Sequence, residues 1–89
     1  MYLAKVRGTV VATQKDSRLV GFKLLITQQI DVDGGYIDDP QVSVDTVGAG
    51  VGETVIIISG SSARFAASHT DSPIDSTIIG IVDSTEVEA

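Results

Sequence analysis

Residues 47–64 read VGAGVGETVIIISGSSAR: three glycines within five residues, then an unbroken apolar block, then a glycine, two serines, an alanine and an arginine. A phosphate cradle of the Walker type needs a lysine and a hydroxyl after its last glycine, at a helix N-terminus. Here Gly52 is followed by Glu53, which repels phosphate, and by a β-branched run. The dinucleotide fingerprint fails as well, because Gly48, Gly50 and Gly52 have the wrong spacing and lead into a strand. What the three glycines supply is positive φ and close backbone approach, as needed in a tight connection between two strands. Residues 53–59 then form a short strand that is apolar on both faces, the mark of a strand covered on both sides. Beyond Gly60, SSARFAASH has the best helix propensity in the chain, with Ser61 or Ser62 as the N-cap and Ala63, Ala66 and Ala67 inside. The serines do not make a nucleophile elbow, since the last glycine of G-x-S-x-G is missing, and the single histidine, His69, lies in a polar loop at the helix end.

Outward from this block the signals are of β type. Residues 2–13 are rich in β-branched side chains, with Gly8 placed where a long strand bends or bulges. After the polar connection QKDSRLVG, residues 22–31 give a second strand. VDGGYIDDP follows as a turn-forming, acidic loop. In QVSVDTV the side chains alternate, with Val42, Val44 and Thr46 on one face and Ser43, Asp45 and Val47 on the other. A fifth strand is predicted around residues 78–82. Five strands with one short helix between the fourth and fifth specify an all-β, OB-like barrel, which hides its sheet edges by curling closed. The expected domain is residues 1–83, with an acidic tail at 84–89.

At 89 residues the chain forms one domain, and a domain of this size buries only about 60% of its unfolded surface. It has no cysteine, so no disulfide reinforces it. Oligomerisation is the remaining staple. The composition agrees: 43% of residues are hydrophobic despite a net charge of −6, and mean hydropathy is +0.27. The N-terminus lacks the pattern of a secretory signal, and no run reaches the roughly 18 apolar residues of a membrane helix, so a soluble, intracellular protein without a membrane partner is expected. Nucleic acid is not an expected partner, because six Lys and Arg face twelve Asp and Glu and there are only two Phe and two Tyr to stack on bases. The acidic run Asp31-Val32-Asp33-Gly34 lacks the ligand positions of a calcium loop, and no Cys/His grouping offers a zinc site. No metal, cofactor or catalytic residue is expected.

Three segments resemble one family in order and spacing. VVATQKDSRLVGFKLLI at 10–26, VDTVGAGVGETVIIISGSSAR at 44–64 and SPIDSTIIGIVD at 72–83 are similar to the bacterial microcompartment vertex proteins, the family of the carboxysome and ethanolamine-utilisation pentamers. The resemblance runs over residues 1–83; the loop at 31–40 and the tail carry no strong family signature. It implies a barrel that assembles into a cyclic homopentamer shaped as a truncated pyramid. Such a pentamer sits at the corners of a cytoplasmic polyhedral shell, beside hexameric shell proteins, and is structural rather than enzymatic. Within that picture the Gly48, Gly50, Gly52 connection shapes one barrel end. Ser61, Ser62 and Arg64 become the candidate subunit-contact or axial residues, with Arg64 reaching Asp45, Asp75 or a neighbouring backbone carbonyl. The alternative is a free-standing oligomeric OB-type module that binds a small ligand or a partner peptide.

Overall fold

The computed structural model describes residues 1–13, 15–68 and 73–88. The elements are β1 (Tyr2–Val10), a single 3-10 turn (Ser17–Leu19), β2 (Lys23–Gln29), β3 (Gln41–Asp45), β4 (Thr54–Ser59), α1 (Ser61–Ala66) and β5 (Ser76–Val82). The strands close into a barrel in the order β1-β2-β3-β5-β4, with β4 returning to β1. All pairs are antiparallel except β3 with β5, which run parallel and meet through only two residue pairs, Val44 with Thr77 and Asp45 with Ile78. The bend expected at Gly8 is a register shift between Val6 and Gly8, which lets β1 serve two neighbours as the sheet coils.

Several boundaries differ from the sequence expectation for local reasons. The first strand stops at Val10 rather than at residue 13. The third stops at Asp45 rather than at residue 47, because the Asp45 carboxylate turns to accept the backbone N–H groups of Val47 and Ala49 at 3.0 and 2.8 Å. The fifth begins at Ser76, where β4 still offers Ser59 as a partner. The helix has six residues and ends at Ala66; His69 lies outside the described residues.

Opposite faces of the same strands build two separate cores. The barrel interior holds Ala4, Val6, Leu25, Ala49, Val55, Ile57 and Ile78, all buried. The second core gathers Val44, Ala63, Ala67 and Ile74, with Leu19, Phe22, Leu24 and Ile58 packed against it. The alternation explains the division: Leu25 and Ile57 face inward, so their neighbours Leu24 and Ile58 face outward, where α1 and the 3-10 turn cover them. This is why β4 reads as apolar on both faces. In β3 the inward residue is Ser43, 1% exposed. Its hydroxyl shares hydrogen bonds with Thr27 at 2.8 Å and Ser76 at 2.6 Å, a chain of hydroxyls across the short parallel seam. Buried hydroxyls are tolerated only when paired, and among the described residues no buried side-chain polar atom lacks a partner.

The 3-10 turn is fixed by its own ion pair. Asp16 caps it by accepting the N–H of Arg18 at 2.9 Å, and also takes the Arg18 guanidinium at 2.8 Å. Hydrogen bonds from Arg18 hold the Asp16 carboxyl at about 2, below its ordinary 3.8. Whatever this exposed pair lends to stability is present above the ordinary value and lost as pH falls through about 2.

Candidate subunit-contact surface

The glycine connection is a folded corner bonded to β1 and β2. Gly48 and Gly52 have φ of 82° and 91°, in the left-handed region, whereas Gly50 does not. The glycines lie around Ala49, which is fully buried in the barrel end. Lys23 reaches across and donates to the Ala49 carbonyl at 2.6 Å, with its ammonium 4.0 Å from Asp45 Oδ2. Glu53 folds back to accept the Gly50 N–H at 2.7 Å. Gly52 and Glu53 then bond the Val6 backbone on both sides, at 2.8 and 3.0 Å, which anchors the corner to β1.

At the other end of β4 the cap of α1 differs from the sequence reading. Neither Ser61 nor Ser62 is the N-cap; Gly60 is, with φ 70° and ψ −152°, and no side chain caps the helix. The cause is backbone: the Gly60 N–H donates to the Asp75 carbonyl at 2.9 Å, which turns the chain one residue earlier than a serine cap would. Both serines are exposed and lead the helix. The helix is held from the barrel side, where the Thr77 hydroxyl donates to the Ala63 carbonyl at 2.8 Å.

Arg64 is half-buried, and its expected partners are not beside it. Asp45 is committed to Lys23 and to the 47–49 corner. Asp75 contributes its backbone to Gly60, and its exposed carboxylate does not meet Arg64. Among the described residues the Arg64 side chain has no hydrogen bond or ion pair within the subunit. This is a notable position for a cation, because Arg64 is the only Lys or Arg after Lys23, in a stretch that holds every acidic residue except Asp16.

The sequence reading missed the neighbour, Phe65, which is 70% exposed. A signal was present: Ala63 and Ala67 face the second core, so a residue midway between them on a helix points away from it. Ser61 and Ser62 stand four and three positions before Phe65 and share its face. Other large apolar side chains left outside include Val32, Tyr36, Val42 and Val51.

The 31–40 loop is more ordered than a solvated acidic turn. Asp31 Oδ1 accepts the N–H groups of Asp33 and Gly35, each at 2.9 Å, and Ile37 donates to the Gln29 carbonyl at 2.8 Å. Arg7 lies over the Tyr36 ring at 4.9 Å and donates to Gln28 at 2.6 Å, while Gln28 donates to the Asp38 carbonyl at 2.8 Å.

The described residues therefore present a closed barrel with an uncapped aromatic, an unpaired arginine and a rigid acidic loop on its outside. The sequence profile of the family described as ethanolamine utilisation protein EutN/carboxysome matches residues 1–83. The chain belongs to that family. Among curated EutN/carboxysome-family relatives, the shell vertex protein GrpN of Rhodospirillum rubrum is 50% identical over 90 residues, covering 97% of each chain. The carboxysome shell vertex protein CcmL of Nostoc is 45% identical over 89 residues, covering 99% of this chain and 88% of its own. The fold agrees with these family members. A solved ethanolamine utilization protein, EutN, superposes with a TM-score of 0.93 at 42% identity, covering 98% of this chain and 91% of its own. The structure of GrpN, described as a pentameric microcompartment shell protein, superposes with a TM-score of 0.89 at 48% identity, covering 99% of this chain and all of its own.

Proposed function

We propose that five copies of this chain form a ring that caps a corner of a polyhedral bacterial microcompartment shell in the cytoplasm. The reading is carried by the end-to-end similarity to a shell vertex protein whose structure is pentameric. A flat hexagonal lattice cannot close on itself, and a fivefold unit at each corner introduces the curvature that closes it. The neighbours at the corner are then hexameric shell proteins. The role is structural and not catalytic. The exposed apolar side chains and the unpaired Arg64 support a subunit that is completed by its neighbours. A cyclic ring joins two different patches on each subunit, so this surplus is divided between two faces.

Ser61, Ser62 and Arg64 belong to the subunit contact. A guanidinium that finds no carboxylate among the described residues of its own chain is best satisfied by one next door, where a charge-assisted fork fixes orientation as well as contributing energy. Arg64→Ala should therefore leave the barrel folded, with unchanged β-type circular dichroism, and weaken the ring. Loss of one such contact costs about 1–3 kcal/mol, and the loss recurs at every joint. Sedimentation across a concentration series checks this. The parent is expected to hold five chains where the alanine variant dissociates, with only partial recovery in Arg64→Lys. A parent that never exceeds one or two chains would remove the vertex reading, and an alanine variant as tightly pentameric as the parent would remove Arg64 from the joint.

A further inference from the structure

We propose that the two patches that meet at each joint of the ring are the α1 face of one copy, Arg64 with Phe65, and the 31–39 loop of the next. This rests on the pentamer reading and assigns its partner surfaces. The first patch is a cation whose side chain has no partner among the described residues, beside a phenylalanine that is 70% exposed. The second carries Asp31, Asp33, Asp38 and Asp39 around three exposed apolar side chains, Val32, Tyr36 and Ile37. The two are complementary in sign, and both offer apolar area at the centre of the contact, which is how interface anchors are arranged.

Three acidic positions elsewhere are already engaged within the chain. Asp45 and Glu53 are bonded within the glycine corner. Asp16 is claimed by Arg18. In the loop, by contrast, the side chains of Asp33, Asp38 and Asp39 accept no hydrogen bond from a described residue, and the cation beside the loop, Arg7, is turned to the Tyr36 ring and to Gln28. The loop is also braced beforehand by its bonds to β2 and by Arg7 under Tyr36. A surface that is already ordered loses little entropy on docking. Every residue from 31 to 40 is nevertheless exposed, so that bracing buries none of the loop's own apolar side chains. The two patches differ from each other, as a head-to-tail ring requires and a twofold dimer does not.

The chain has no cysteine, so a thiol can be placed without background. Ser62→Cys lies on the Phe65 face of α1, Asp33→Cys lies within the apolar trio of the loop and Asp39→Cys just beyond it. A short bifunctional thiol reagent is applied to purified pentamer carrying Ser62→Cys with either loop cysteine. The expected product is a covalent ladder ending at five chains. Each single variant alone should give no covalent dimer, because this joint brings two unlike patches together and keeps identical positions apart. In a second arm, Arg64→Glu should raise the concentration at which the ring half-dissociates by about 10-fold or more, and adding Asp33→Lys and Asp39→Lys should recover most of it. A parent that is pentameric but shows neither the ladder nor the recovery overturns this joint and leaves the vertex reading standing. A parent that is not pentameric overturns both.

Discussion

Ile57→Ala is expected to destabilise the folded subunit by about 2–5 kcal/mol, a large share of the ordinary 5–15 kcal/mol stability of a domain. Ile57 is fully buried at the centre of the barrel core, among Val6, Leu25, Val55 and Ile78. Its strand is paired on both sides, to Tyr2 across β1 and to Ile78 across β5. A barrel wall bonded in both directions cannot move in to fill the void left by the missing carbons, so the cavity penalty adds to the lost burial. Denaturant unfolding of the variant and parent under matched conditions gives the difference directly. In heat, each kcal/mol corresponds to about 4–8 °C in a domain of this size. The neighbouring Ile56 is only half-buried on the outer face, and Ile56→Ala should cost clearly less. Equal losses for the two variants would mean that the inner and outer faces of β4 are misassigned.

The second large effect is at Gly60. With φ 70° and ψ −152°, it occupies a region populated almost only by glycine, where an L side chain costs on the order of 1–3 kcal/mol. A Cβ there would meet nothing within 4 Å, so the penalty is purely one of backbone. Gly60→Ala should thus cost about as much as Gly60→Val, whereas D-alanine, for which this conformation is ordinary, should melt with the parent or above it. Chemical synthesis of an 89-residue chain makes that comparison accessible. Because Gly60 sets the entry to α1, the L-variants should also weaken the ring by displacing Arg64 and Phe65. Valine at Gly48 or Gly52, each at positive φ, should cost about 1 kcal/mol or more, and valine at Gly50 less of this backbone strain. If D-alanine at position 60 melts as low as L-alanine, chirality is not the cause and the strain argument fails.

The strands were legible because runs such as TVIII and alternations such as QVSVD declare a pleated, half-covered surface whatever surrounds them. What alternation does not declare is which face turns inward. In β3 the inward residue is Ser43, made tolerable by Thr27 and Ser76, and Ser76 is 33 residues away in sequence. The expected serine cap of α1 gave way to Gly60 for a similar reason, since the turn is set by the distant Asp75 carbonyl. Arg64 was legible as a residue in need of a carboxylate. Its expected partner Asp45 was not legible as taken, because the competing Lys23 belongs to another strand. The bracing of the 31–39 loop depends on Arg7, from β1, and could not be seen in the loop's own residues.

The most direct measurement is cryo-electron microscopy of shells assembled with and without this chain, by co-production with the hexagonal shell proteins of a microcompartment. With the chain present, closed polyhedra are expected, each corner filled by a fivefold ring of barrels. Without it, shells should show empty corners or fail to close. Corners of the same appearance in both preparations, or fivefold density that does not fit this barrel, would contradict a vertex role.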